Sequence, residues 1–281
     1  MGMVIRNNLD SVRAYNIYNK NAMALSHTMY QVSSGQRINS AADGPSDLAI
    51  SEKMRGLISS NNQASRNVQA STNMIKTAEG ALSNIVDLLN TVRERVVNAA
   101  NDTNTSMERS LISTEISALL DQIDDNSNVT YNGMKLLNGQ WSSSGTALNF
   151  QIGGQPGLNI PVHIAEMSSS GLKLKVAGSS GLDISTTSAA NKVLNQIDSA
   201  INVVLNQRTA LGSIEARLGF TLDNLATENE NLIASESAIR DLDMAKGMTD
   251  FMKWNVQTQA AQFMLAQAGQ NAYSVLNLLQ Q

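Results

Sequence analysis

The chain has 281 residues, a net charge of −4 and no cysteine. That balance argues against nucleic-acid binding through phosphate contacts, and disulfides and thiolate metal sites are excluded. Hydrophobic residues make up 42% and charged residues only 16%, which fits a chain whose surface is mostly covered by neighbours.

The first 32 residues step in threes and fours through Ile5, Leu9, Val12, Tyr15, Tyr18, Ala22, Leu25, Met29 and Val32. This spacing predicts a helix, closed by the breaker Ser33-Ser34-Gly35. The start carries no basic stretch followed by an apolar run, so no cleavable signal is expected. Pro45 stands where a first-turn proline is tolerated. From Ile50 to Ala99 a heptad seam runs through Met54, Leu57, Asn61, Ala64, Val68, Ser71, Ile75, Ala78, Leu82, Ile85, Leu89, Val92 and Val96. Only Asn61 and Ser71 interrupt it with polar side chains. Such a stripe calls for a partner helix along its whole length. At the usual helical rise it predicts a helix roughly 75 Å long. It ends at the polar run Asn101-Asp102-Thr103-Asn104, and a shorter helix follows, marked by Ile112, Ile116, Leu119 and Ile123.

Residues 129 to 186 hold 9 of the 18 glycines and two of the three prolines. Alternation in Leu148–Ile152 and in Leu172–Val176 predicts two or three short strands joined by turns. The runs Ser142-Ser143-Ser144 and Ser168-Ser169-Ser170 read as exposed loop tips. Heptads resume through Leu194, Ile197, Ile201, Val204, Arg208, Leu211, Glu215, Leu218, Leu222, Leu225, Asn229 and Leu232, now with three polar interruptions. A last helix is predicted over about Met244 to Leu279. From Trp254 through Gln281 there is no charged side chain, but seven Gln and three Asn. Uncharged amides suit a helix buried in an assembly, because they form buried hydrogen bonds without desolvating an ion. No stretch reaches the ~20 apolar residues of a bilayer span, and no membrane insertion is expected. The fold expected is mainly α: long antiparallel helices from the two halves of the chain, with a small β-hairpin region at the fold-back point. The rod seam would join Ile75, Leu82, Ile85, Leu89 and Val92 to Leu211, Leu218 and Leu225.

Little points to chemistry. His27 and His163 are the only histidines, and neither sits in a ligand cluster. Asp121, Asp124 and Asp125 read as a solvated helix face rather than a catalytic carboxylate pair. Gly153-Gly154-Gln155-Pro156-Gly157 lacks the Gly-Lys-Ser/Thr ending of a phosphate loop. Asn128-Val129-Thr130 fits a glycosylation sequon, a triplet common by chance. No catalytic residue, metal or cofactor is expected.

Specific motifs then suggest a family. Residues 33 to 51 (SSGQRINSAADGPSDLAIS), 77 to 82 (TAEGAL), 93 to 104 (RERVVNAANDTN), 130 to 137 (TYNGMKLL) and 150 to 153 (FQIG) resemble the N-terminal signature of bacterial flagellins. Residues 208 to 218 (RTALGSIEARL), 231 to 245 (NLIASESAIRDLDMA) and 262 to 279 (QFMLAQAGQNAYSVLNLL) resemble their C-terminal signature. The resemblance spans about residues 1 to 165 and 188 to 281, in the family's order.

It implies a non-enzymatic subunit that self-assembles into the helical flagellar filament for swimming, outside the cell. Residues 1–42 with 244–281 would form the terminal helix pair at the filament's inner core. Residues 43–130 with 188–243 would form the helical rod, and 131–187 the β-hairpin and a short fold-back segment, the larger outer domains of longer members being absent. Inner-core assembly residues would then be Ile5, Leu9, Val12, Leu25, Met29, Val256, Phe263, Leu276 and Leu279. Implied partners are many copies of the same chain, the flagellar export apparatus and its chaperone, and the filament cap and hook-junction proteins. In members recognised by the vertebrate toll-like receptor, the stretch matching Asn90 to Asn98 supplies an arginine and a leucine. Thr91 and Arg95 stand there instead, while Glu115 matches the acidic partner, so receptor contact is expected to be weak. The text Gly44-Pro45-Ser46-Asp47 resembles the related hook–filament junction protein more closely, which is the alternative. A non-flagellar coiled-coil scaffold is the other.

Overall fold

The computed structural model describes residues 8–142, 147–175 and 182–279, with side chains up to residue 270. Five helices and two small antiparallel sheets follow in the order α1 (Leu9–Ser34), α2 (Pro45–Ala99), α3 (Ser106–Ser127), β1 (Thr130–Tyr131), β2 (Met134–Lys135), β3 (Leu148–Gln151), β4 (Asn159–Val162), α4 (Thr187–Arg240) and α5 (Met244–Leu279). They form two compact units. One gathers the described residues up to Ile58 and from Glu230 onward, and the other holds Ser59–Asn229.

Local chemistry sets the helix ends. The Asn8 side chain accepts the Ser11 N–H to open α1, and Gly35 closes it at φ 71°, a left-handed position that favours glycine. Thr105 and Glu108 form a capping box at the start of α3. Asp243 accepts the Ala245 and Lys246 N–H groups and restarts the chain as α5. The β1–β2 turn is Asn132-Gly133, both at positive φ, the conformation of a tight two-residue hairpin.

In the second unit the α2 seam is buried at every step from Asn61 to Ala99. It meets Val193, Ile197, Ala200, Val204, Leu211, Leu218 and Leu225 of α4 and Ile116, Leu120 and Ile123 of α3 in one continuous core. Pairs between α2 and α4 run in opposite directions along the two helices: Asn62 with Asn229, Lys76 with Glu215, Glu79 with Arg208, Arg93 with Asp198. The helices are therefore antiparallel. Leu136, Leu137, Phe150, Ile160 and Val162 extend the same core under the hairpins.

Three sequence expectations are corrected here. The start of the seam is not buried within the chain: Ile50 is 44% exposed. Leu172–Lys175 is a turn rather than a strand, with Lys173 at φ 60° and Leu172 and Leu174 both buried; Val176 lies outside the described residues. The apolar alternation is there because two leucines on a turn enter the core, not because of a pleat. Ser169 is 1% exposed, not a loop tip; its N–H and Oγ–H donate to the Asp124 carboxylate at 2.7 and 2.8 Å. Lys175 adds an ion pair to Asp121 at 2.8 Å, so Asp121 and Asp124 help anchor the turn while Asp121 and Asp125 stay exposed on the solvated helix face. Ser143 and Ser144 lie outside the described residues.

In the first unit the α1–α2 connection is built around Asp43. Its carboxylate faces His27 Nε2 at 2.7 Å and accepts the N–H groups of Asn39 and Ser40 at 3.0 and 2.8 Å. The His27 hydrogen bond first, then those two N–H groups, hold the Asp43 carboxyl far below the usual range. A carboxyl depressed by folding contributes stability that is complete above its unfolded pKa and fades as pH falls through its folded value. Asp43→Asn should therefore lower the thermal midpoint at pH 7, with the deficit shrinking once the pH drops below about 4. A midpoint difference independent of pH would contradict this. In the core, Ile85 is fully buried, and Ile85→Ala should cost about 2–5 kcal/mol in denaturant unfolding, the range for a buried aliphatic truncation.

Candidate assembly surfaces

The terminal helices α1 and α5 pair through a narrow seam that differs in kind from the core. The half-buried side of α1 carries Asn8, Ser11, Ala14, Tyr18, Asn21, Leu25 and Thr28. The corresponding side of α5 carries Gly247, Phe251, Trp254, Thr258, Ala261, Leu265 and Ala268. Small side chains let the backbones approach closely. Asn8 and Asn21 then reach across and donate their amides to the Ala268 and Gln257 carbonyls at 3.1 and 3.3 Å. A Cβ on Gly247 would stand 2.7 Å from a terminal methyl of Leu242, so any larger residue there would displace that side chain.

The large apolar residues of these helices mostly point elsewhere. Leu9 is 62% exposed, Val12 55%, Met29 55%, Val256 65% and Phe263 77%. Met23, Tyr30, Met252 and Met264 are exposed as well. The stripe read from the α1 sequence is thus split: Tyr18, Ala22, Leu25 and Val32 lie on its half-buried side, while Leu9, Val12, Tyr15 and Met29 face solvent. Of the remaining inner-core residues, Ile5 lies outside the described residues, as do the side chains of Leu276 and Leu279. Helices that keep large apolar groups on the face turned away from their own partner present a surface suited to further protein.

The eight rod-seam residues are placed together in the second unit: Ile75, Leu82, Ile85, Leu89, Val92, Leu211 and Leu218 are at most 2% exposed and Leu225 5%. The three polar interruptions of α4 each meet a polar group of α2. Arg208 reaches Glu79, Glu215 reaches Lys76, and Asn229 donates to Asn62. Sequence reading marked the interruptions but not their partners, which lie outside the apolar seam of α2. A further rung in the first unit joins Arg240 to Glu52 at 2.7 Å, and Arg37 donates to the Ile239 carbonyl at 2.5 Å. Arg240 and then Arg55 hold the Glu52 carboxyl below its ordinary value.

The β3–β4 loop sits directly on α2. A Cβ at Gly154 would come within 2.8 Å of both Asn61 Oδ1 and Ser60 Cβ, so this glycine is a close-approach position. Far along α2, close to its C-terminal end, Arg95 Nε and Glu115 Oε1 form an ion pair at 2.8 Å with both side chains about half exposed. Thr91 donates its hydroxyl to the Asp87 carbonyl one turn back.

Comparison with known proteins agrees with this architecture. The family model for the bacterial flagellin N-terminal helical region matches residues 5–142, and that for the C-terminal helical region matches 194–279. The chain is 41% identical to the flagellin of Bacillus subtilis (strain 168), over 99% of this chain and all of that one. It is 36% identical to the flagellar filament 30.7 kDa core protein of Treponema maltophilum, with the same coverage. A solved structure assigned as a flagellar hook-associated protein from Vibrio parahaemolyticus superposes with a TM-score of 0.58 at 16% identity, covering 71% of this chain and all of that one. That likeness is one of fold. With both terminal regions matched and full-length relatives above one third identity, the chain belongs to the bacterial flagellin family.

Proposed function

We propose that the protein is a structural subunit that polymerises into the extracellular flagellar filament, with α1 and α5 as the inner-core contacts. Family membership supports the filament role. One observation carries the assignment of the surface: the large apolar residues of α1 and α5 face away from each other's seam, up to 77% exposure at Phe263. Copies of the same chain would cover them. The stretch of α5 that follows Lys253 suits that role, since it enters an interface without desolvating an ion. The terminal helices order fully only as neighbours cover them, because ordering costs on the order of 1 kcal/mol or more per residue.

The other partners follow from the family's way of life. They are the export apparatus and an export chaperone that shields the apolar faces before assembly, then the filament cap and the hook-junction proteins that meet the ends of the polymer. Residues 43–130 with 188–243 would form the helical rod, and 131–187 the hairpin that contacts neighbours. Contact with the vertebrate toll-like receptor would be weak, because Arg95 replaces an apolar side chain and its guanidinium occupies Glu115.

Seeded growth tests the main reading. Purified monomer mixed with short sheared filaments in precipitating salt should give long uniform filaments extending from the seeds. Monomer that caps the seeds without elongating them would instead indicate a junction protein. Phe263→Asp should abolish elongation while thermal unfolding of the second unit stays unchanged; normal filaments from this variant would overturn the assignment of the surface. For the receptor, a reporter-cell dose response should lie well to the right of that of a strongly stimulating flagellin, and equality would refute weak contact.

A further inference from the structure

The groove between α1 and α5 carries two charges without a charged partner among the described residues. It is about 710 Å³, with a floor of small and apolar groups including Ala14, Ile17, Ala260 and Ala261. Asp10 and Arg13 stand on its rim, both exposed. They are one turn apart on the same helix, yet among the described residues neither forms an ion pair with the other or with any other group. The facing wall belongs to the stretch of α5 after Lys253, which has no charged side chain at all.

A covering copy changes the electrostatics of this rim. An ion taken out of water without a partner is strongly unfavourable, so each rim charge must then find an opposite one. The groove-lining stretch of a neighbour's α5 offers none. Along α1 the free charges are Asp10, Arg13 and Lys20, since His27 already faces Asp43. Asp10 is the single carboxylate in that set.

We propose that Asp10 of one copy pairs with Arg13 of the adjacent copy, a self-complementary ionic contact that fixes the register between neighbouring terminal helix pairs. The contact rests on the filament reading above and specifies it further. Apolar faces of helices slide over one another with little penalty, whereas a single opposite-charge pair per interface selects one offset and repels others. Asp10 also sits in the first turn of α1, where a carboxylate favours the helix dipole. That local role and the intermolecular one predict different outcomes when the two charges are exchanged.

The experiment uses full-length Asp10→Arg, Arg13→Asp and the double exchange D10R/R13D, each grown from seeds of its own filaments or of wild type. The readout is the critical concentration by sedimentation, at low and high ionic strength. Each single variant should raise the critical concentration at least ~10-fold at low salt and by less at high salt, as expected for a screened charge contact. The double exchange should return to within ~3-fold of wild type, and so should an equimolar mixture of the two single variants, which restores opposite charges between copies but not within one. Monomer helicity by circular dichroism should be the same for all three. Single variants that polymerise like wild type would overturn the pairing. So would a double exchange as defective as the singles, which would leave only the dipole role or a different partner. Wild-type monomer that fails to extend seeds would instead remove the filament reading beneath it.

Discussion

An apolar stripe that repeats every three to four residues over many helical turns cannot be left in water. In this chain the requirement is met within the molecule over part of the stripe, while its start remains partly exposed. From Asn61 to Ala99 the α2 seam is closed by α4 and α3, and the hairpins and the 168–175 turn are packed around the same column of side chains. The shorter elements depend on that column: two-stranded sheets of two to four residues are marginal alone and persist because Phe150, Ile160, Val162, Leu136 and Leu137 are buried against it.

The terminal helices solve a different problem. Their mutual seam combines asparagine amides on backbone carbonyls and alanines that allow close approach with larger groups, Tyr18, Leu25, Phe251, Trp254 and Leu265, that are only half-buried. Such a seam aligns two helices but leaves its larger groups partly exposed. The bulk of the apolar surface is kept for the opposite faces. A half-buried intramolecular pair beside outward faces that carry large exposed apolar groups leaves apolar surface for neighbouring copies to cover, as expected of a polymer subunit.

Much of the fold was legible in the sequence because its signals are long or chemically sharp. The α2 heptads run without a break, Gly35 and Pro45 punctuate as glycine and proline should, and the Asn101–Asn104 run ends the helix. Short-range alternation was less reliable. Leu172, Leu174 and their lysines mimic a strand, but a turn built on the buried Ser169–Asp124 contact also sends alternate side chains inward. The direction of apolar residues on α1 was illegible for another reason. Leu9, Val12 and Met29 keep helical spacing whether they face α5 or a second molecule, and periodicity does not distinguish the two.

The polar rungs between α2 and α4 have a mechanical meaning. Each is partly exposed and worth little in equilibrium stability, on the order of 0.2–1 kcal/mol. A shear of the two helices by one heptad would keep the apolar columns in contact, so the hydrophobic seam alone resists creep poorly. With the rungs, a slip in one sense drives Lys76 toward Arg208, and in the other it sets Leu222 before Lys76 and Leu205 before Arg93. The pair therefore behaves as a toothed joint, free to flex across its length and stiff against sliding along it, which is what a shaft turned from one end demands of its staves.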